Sequence, residues 1–199
     1  EDKLQIVDSF MVGGAGAVQD TYTLLRKGIV RLLRVAEFHE LRSELEPVLA
    51  RQDYATDSKP KINWDDPEEK RGLLESYVID ARNLVAAARA LRPLPQDLSD
   101  ASDLLERIAS QDIDDGDGRI KMKKGVAKDR VISVTDPDMR HGRKTSSVKA
   151  NGFKAHIATD GNFVASVVVT AANKADAEPL PEVVKQCEAN AMKPEQIVG

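Results

Sequence analysis

The stretch Leu4-Gln5-Ile6-Val7-Asp8-Ser9 decides how the rest of the sequence is interpreted. Its short apolar run predicts a buried strand that ends in an acid. A glycine-rich turn, residues 13–16, follows the strand. Beyond that turn the apolar residues recur at helical spacing, so the sheet that begins at residue 4 is interrupted after its first strand.

The interruption is a block of helices. Apolar residues fall on one helical face in four segments, namely residues 17–37, 40–52, 67–91 and 99–110. The third segment has the clearest start, because Asp66 can cap it and Pro67 fits its first turn. In the second segment, Pro47 indicates a kink or a restart.

Strand patterns return after the helices. Residues 112–128 are acidic and then basic, contain glycine and have no period, which predicts an exposed linker. The later candidates are a strand at 130–134, two strands at 152–160 and 163–171 joined by a hairpin turn at 160–162, a helix at 175–189 and a strand at 196–199.

These elements predict an α/β fold in which a helical insertion interrupts a mixed sheet after its first strand. The predicted organisation comprises the first strand and turn, the helical insertion, the linker and the remaining core, at residues 1–16, 17–111, 112–128 and 129–199.

Composition narrows the class of protein. Of the 199 residues, 41% are hydrophobic and 31% charged, as in soluble globular proteins. The sequence contains no apolar run long enough for a transmembrane helix, so no membrane partner is expected. One cysteine, Cys187, excludes an internal disulfide and fits the cytoplasm. Three scattered histidines do not form a zinc motif, so we expect any metal to be held by carboxylates.

Charge is distributed unevenly along the chain. The net charge is −4, yet residues 119–154 contain 11 Lys and Arg against 3 Asp, a local charge of +8. A basic segment on an acidic chain can contact phosphates. A solvated basic loop is the alternative interpretation.

Asp8 is the first candidate functional residue. Burying a charged carboxylate at the end of an apolar strand costs roughly several kcal/mol unless the charge is paired or bound to a metal. Hard cations such as Mg²⁺ prefer oxygen ligands on a rigid frame, and a strand provides one. The alternative is an aspartate that caps the turn beside Ser9.

The second candidate is the stretch of residues 135–144, which contains two acids, a histidine and three cations. The carboxylates could bind metal, or the cations could bind phosphates. Alternatively, Asp136 bonds to its own backbone and the rest is solvated. The acidic stretch 112–118 does not fit a calcium loop, because Lys123 stands at the twelfth position, where a glutamate is required.

Several of these stretches resemble bacterial insertion-sequence transposases with an Asp-Asp-Glu active site. The resemblance extends over essentially the whole chain and is carried, in order, by residues 4–9, 17–22, 126–133, 135–144, 152–158 and 167–173, ahead of Asp176.

The resemblance implies a ribonuclease-H-like core that cuts and joins DNA with Mg²⁺ or Mn²⁺ in the intact enzyme. Asp8 matches the first acid of the triad and is the expected catalytic and metal-binding residue. The second acid is expected directly after the strand at 196–199, and the glutamate further on. The 199 residues therefore resemble a central segment, which is expected to bind metal weakly at Asp8 or not at all and to be inactive by itself.

The implied partner is DNA, both the transposon ends and the target. The residues expected to contact it are Arg140, His141, Arg143, Lys144 and Lys149. The helical insertion could clamp DNA or form a homodimer, and its acidic surface favours protein contact. Two other functions stay open: a ribonuclease-H-like nuclease that does not transpose, and a non-catalytic helical protein-interaction module.

Overall fold

The first strand, β1 (Leu4–Gly13), is longer than the sequence predicts and continues into the expected turn. The structure is a computed structural model that describes residues 4–56, 60–143 and 147–198, with the side chain of Leu4 left out. The chain forms two compact units, unit 1 from residues 1–18 and 138–199, and unit 2 from residues 19–137. The predicted α/β fold, with a sheet interrupted after its first strand, is confirmed.

Unit 2 is mainly helical. Its helices are α1 (Thr21–Phe38), α2 (Arg42–Leu45), α3 (Pro67–Ala90) and α4 (Gln96–Gln111). The Asp66 side chain caps α3 by accepting from the N–H groups of Glu68 and Glu69, as the sequence predicts. Apolar side chains from the helices form one core, which includes Leu24, Leu25, Ile29, Leu32, Leu33, Leu73, Leu74, Tyr77, Leu84, Leu98, Leu105 and Ile108.

The helix predicted at residues 40–52 is wrong beyond its first turn. Only α2 forms, and a 3₁₀ turn at Glu46–Val48 follows it. Pro47 lacks the N–H group that an α-helix needs. Further along, the buried carboxylate of Asp80 accepts from the N–H groups of Ala50 (2.7 Å) and Arg51 (3.2 Å). These bonds hold the chain in a loop instead of a helix.

The strand predicted at residues 130–134 is also wrong. The segment is extended and its apolar side chains are buried, yet it pairs with no strand among the described residues. Side chains of the helical unit replace the neighbouring strand. Gln111 accepts from the N–H of Val131 (2.9 Å) and Gln19 accepts from the N–H of Val134 (3.1 Å).

Part of the predicted linker is ordered as a hairpin. Its strands are β2 (Ile113–Asp114) and β3 (Lys121–Met122), which pair antiparallel. The carboxylate of Asp112, directly before β2, binds the Arg130 guanidinium at 2.7 Å, and both side chains are 11% exposed. This buried ion pair fixes the base of the hairpin to the rest of unit 2.

Unit 1 contains the sheet. After β1 come β4 (Arg140–Arg143), β5 (Lys149–Thr159), β6 (Val164–Ala171), helix α5 (Leu180–Ala189) and β7 (Gln196–Val198). β5 pairs antiparallel with β1, β4 and β6, and β7 pairs parallel with β1 on its other edge. This mixed sheet is consistent with a partial ribonuclease-H-like fold. The predicted hairpin turn at residues 160–162 is confirmed.

Two glycines allow the strands to approach closely. A Cβ atom at Gly142 would lie 2.3 Å from the carbonyl oxygen of Ala172. Gly152 has a φ of +150°, and a Cβ there would lie 2.3 Å from the carbonyl oxygen of Val12. Any larger residue at either position would have to displace backbone atoms.

The two faces of the sheet have different environments. Helix α5 packs on one face, where Val183 and Cys187 contact Ala158 and Ala165. Strand alternation places Asp8 on the opposite face, which we call the Asp8 face. Around Asp8 this face exposes apolar side chains, namely Ile6, Phe10, Val12, Val167 and Val169.

Candidate functional site

Asp8 lies in the middle of β1, with five further strand residues after it. It is exposed, and its Oδ1 accepts from the N–H of Ser9 at 2.7 Å. The carboxylate is therefore already solvated, and the argument that a buried charge requires a metal does not apply. The rigid frame on which the metal-ligand hypothesis also depends is present, because β1 is paired on both sides near this residue.

The strand β7 pairs with the part of β1 that precedes Asp8. Its residues pair in parallel register, Leu4 with Gln196 and Ile6 with Val198. Asp8 is two residues beyond Ile6 on the same face of β1. Asp8 therefore lies just beyond the last described pair between β1 and β7, on the side of β1 that β7 occupies.

Ser9, the neighbour of Asp8, belongs to the opposite face and joins a polar cluster there. Its hydroxyl donates to Asp176 Oδ1 at 3.1 Å, and the buried Lys154 ammonium donates to the same oxygen at 2.8 Å and to the carbonyl of Lys174 at 2.7 Å. The Lys154 bond lowers the pKa of Asp176 from its usual value, and the Ser9 bond lowers it further. This cluster ties the loop before α5 to β1.

The inward face of β5 differs from the sequence pattern. Phe153, Ala155 and Ile157 alternate with Lys154 and His156, and apolar side chains normally face a core. In the structure Lys154 and His156 are buried, as is Ala155, whereas Phe153 and Ile157 are half-buried, and burial lowers the pKa of His156. Both find polar partners: Lys154 binds the Asp176 carboxylate, and His156 Nε2 lies 3.0 Å from the Thr170 hydroxyl. Alternation alone contains no signal for these long-range partners.

The expected DNA-contacting residues do not all have the same exposure. Arg140 is buried and donates to the carbonyl of Met139 at 2.9 Å. His141, Arg143 and Lys149 are exposed, and Arg143 is paired in register with Lys149 across β4 and β5. Lys144 lies outside the described residues.

The exposed members of this set share a side of the sheet with Asp8. His141 pairs with Asn151, to which its Nδ1 donates at 2.6 Å, and Arg143 pairs with Lys149. Residues 149 and 151 have the same parity along β5 as Ile157, the partner of Asp8. We call the exposed pair Arg143 and Lys149 the basic edge. Lys149 is eight residues from Ile157, so the basic edge lies roughly 27 Å from Asp8 along the strand.

A metal site needs more ligands than Asp8 alone. Within residues 4–56, 60–143 and 147–198, no group of three or more His, Cys, Asp or Glu side chains is arranged to hold a metal ion. Asp8 fits Mg²⁺ as one hard oxygen ligand on a rigid strand. In the same described ranges, no helix is long and apolar enough to cross a membrane.

Comparison with known proteins finds a similarity to one family over part of the chain. Residues 122–199 match the family model described as transposase DDE domain. The match includes β4 to β7 and leaves out β1 and the helices of unit 2. No curated protein and no solved structure gives a significant match. The similarity to DDE transposases of the insertion-sequence type is thus confirmed over residues 122–199.

Proposed function

We propose that the intact protein is a DNA transposase in which Asp8 is one of the carboxylates that hold divalent metal ions during DNA cleavage and strand transfer. The observation that carries this proposal is the position of Asp8, exposed in the middle of β1 and on the edge next to β7. The transposase DDE match over residues 122–199 supports the reaction class.

The register between β1 and β7 supports a second carboxylate at this place. Both strands run in the same direction, and Ile6 pairs with Val198. A continuation of this register by two further residues on each strand would place Asp8 opposite the residue after Gly199, at the usual strand spacing of about 4.8 Å. An acid at that position would share a metal ion with Asp8.

The chemistry of the bound metal ions, Mg²⁺ or Mn²⁺, is to activate the attacking hydroxyl and to stabilise the leaving oxygen of a phosphodiester. Asp8 contributes one oxygen ligand and holds it on a paired strand. One carboxylate does not fix two metal ions, so we expect the 199 residues alone to bind metal weakly and to cleave no DNA.

The basic edge supplies the second part of the proposal. Arg143 and Lys149 are exposed on the Asp8 face, where they can bind the phosphate backbone. Their distance of roughly 27 Å from Asp8 equals about eight base pairs of duplex at 3.4 Å each. A duplex that lies across this face could thus contact the basic edge and reach Asp8.

The test is metal-dependent nicking of DNA from the ends of the element by a chain extended past Gly199. Asp8→Asn keeps the shape of the side chain and removes the charge, so we expect nicking to be lost. Asp160→Asn is the matched control, because Asp160 is an exposed aspartate of the same unit, in the hairpin turn, and asparagine can make the same turn bonds. That variant should remain active.

Each alternative has a distinct outcome. Nicking that survives Asp8→Asn would contradict the role of Asp8 and favour the protein-interaction module. Metal-dependent cleavage that requires Asp8 but never joins the cut 3′ end to a second DNA would favour a ribonuclease-H-like nuclease instead of a transposase.

A further inference from the structure

The basic segment at residues 119–154 is divided between the two units, and its first part belongs to the β2–β3 hairpin of unit 2. Residues 119–128 contain no Asp or Glu. Their cations are Arg119, Lys121, Lys123, Lys124 and Lys128, all of them exposed. The cations predicted to contact DNA lie elsewhere, in unit 1.

The acids of the preceding stretch do not neutralise these cations equally. Each acid has a specific partner: Asp112 binds Arg130, Asp115 binds Arg82, and Asp114 and Asp117 both bind Lys121. Within the part of the chain that the structure describes, no carboxylate forms an ion pair with Arg119, Lys123 or Lys124. We call these three residues the hairpin cations.

The hairpin cations are held on an anchored frame. The N–H of Lys123 donates to the carbonyl of Asp112 at 2.8 Å, which extends the pairing of β2 and β3 by one residue. Asp112 in turn accepts from Thr21 at 2.9 Å and binds Arg130. Because the backbone is fixed, less conformational entropy is lost when a partner binds than for a free basic tail.

We infer that the hairpin cations bind the phosphate backbone of duplex DNA, as a contact of unit 2 in addition to the basic edge of unit 1. The inference rests on the proposed function, which makes DNA the partner. The three side chains provide positive charge for the phosphates. The acids Asp115 and Asp117 at the hairpin tip would be repelled by DNA, which disfavours insertion of the tip into a DNA groove. Binding is therefore independent of base sequence and sensitive to salt.

The test measures fluorescence anisotropy of a labelled duplex of about 20 base pairs with the 199-residue chain, over about 50 to 200 mM salt. The variant combines Arg119→Ala, Lys123→Ala and Lys124→Ala. The control combines Arg71→Ala, Lys185→Ala and Lys193→Ala, which removes the same charge from exposed, ion-paired side chains. Circular dichroism and the thermal midpoint check that both variants fold.

We expect the variant to bind at least about tenfold more weakly at 100 mM salt, with the slope of log K against log salt reduced by about three. The control should lose less than half of that slope change. Lys124→Glu alone should weaken binding more than Lys185→Glu, and this single substitution serves as a second measurement if the triple variant unfolds.

Three results would overturn the inference. The variant and the control could show equal losses, which would indicate a general charge effect. The variant could bind as the wild type does while Asp8-dependent nicking by the extended chain persists, which would retain the proposed function without the hairpin contact. Tighter binding of duplex RNA than of DNA, lost in the variant, would make RNA the partner.

Discussion

The backbone N–H of Val134 donates at 3.1 Å to the side-chain oxygen of Gln19, 115 residues earlier in the chain. The N–H of Gln19 donates in turn to the carbonyl of Ile132 at 2.9 Å. Gln19 is 5% exposed, so neither bond competes with bulk water. One buried glutamine thus joins the first residue of unit 2 to its last extended segment.

Gln19→Ala should destabilise unit 2. The substitution leaves the N–H of Val134 buried without its acceptor, and an unsatisfied buried donor costs about 1–3 kcal/mol. Urea unfolding followed by circular dichroism measures the loss. Gln96→Ala, at an exposed position in α4, should stay within about 0.5 kcal/mol of the wild type. Equal effects of the two substitutions would show that the Gln19 bond is not stabilising.

Asp80 should be among the most sensitive polar positions. Its carboxylate is fully buried and accepts from Ala50, Arg51 and the Tyr54 hydroxyl, the last at 2.6 Å. Burial raises the pKa of Tyr54, and so does its bond to Asp80. We expect Asp80→Ala to cost about 3–5 kcal/mol and Tyr54→Phe, which removes one donor, about 1–2 kcal/mol.

The urea midpoints of Asp80→Ala and Tyr54→Phe show which substitution destabilises the protein more. A Tyr54→Phe variant as unstable as Asp80→Ala would contradict the explanation, because the two backbone donors would then contribute nothing.

Gly142→Ala should disturb the sheet of unit 1. The new methyl group would lie 2.3 Å from the carbonyl oxygen of Ala172, so strands have to shift, at about 1–3 kcal/mol. Gly13→Ala is the matched control in β1, because a Cβ there has no atom within 4 Å. Thermal unfolding of both variants should lower the midpoint for Gly142→Ala only.

The Lys154–Asp176 pair should make stability depend on pH in the acid range. The Lys154 bond lowers the pKa of Asp176 below its usual 3.8. A carboxyl with a lowered pKa in the folded state stabilises the fold above pH 3.8, and this contribution is lost as the pH falls through the lower value. Because Asp176 is largely exposed, we expect only about 1 kcal/mol at neutral pH.

Urea midpoints of the wild type and Asp176→Asn, from pH 6 down to pH 2.5, check this dependence. Their difference should be constant down to about pH 4 and then close. A difference that persists unchanged at the lowest pH would mean that the Asp176 charge is not the source of the stability.

Local chemistry explains why most of the fold could be predicted. The helix α3 begins at Pro67 because Asp66, directly before it, satisfies the free N–H groups, and both residues are adjacent in sequence. The β5–β6 hairpin turns at Gly161, whose φ of +94° suits glycine. Signals of this kind are contained within a few residues of the element that they specify.

Contacts between distant residues account for the errors. The segment at 130–134 has the apolar, β-branched composition of a strand, but side chains far away in sequence, among them Gln19, Arg31 and Gln111, bind it to the helical unit. Lys154 and His156 can be buried because they bind polar partners, Asp176 in the loop before α5 and Thr170 on β6. A single sequence contains no local sign of either arrangement.

For the candidate site, the sequence predicts Asp8 as a functional residue but does not predict its surroundings. The carboxylate is exposed in the middle of a strand, whereas the apolar run predicts a buried strand that ends there. Its position relative to the basic edge follows from the pairing of β5 with both β1 and β4. Pairing register is a property of the assembled sheet, so only the structure could show that these side chains share a face.

Unit 2 lies in sequence between β1 and the other strands of the sheet, so β1 is synthesised well before the strands with which it pairs. Gly13 pairs with Gly152, which leaves the ribosome roughly 140 residues and 7–28 seconds later at about 5–20 residues per second. Unit 2 is continuous and can fold in that interval, while β1 has no partner. Once Gln19 has bound Ile132, a loop of roughly 26 residues (6 between Gly13 and Gln19 and 20 between Ile132 and Gly152) remains to be closed instead of about 140, which lowers the entropic penalty of pairing by about 1.5 kcal/mol. Folding of the helical unit during translation thus shortens the loop that must close before β1, the strand that carries Asp8, can pair with β5.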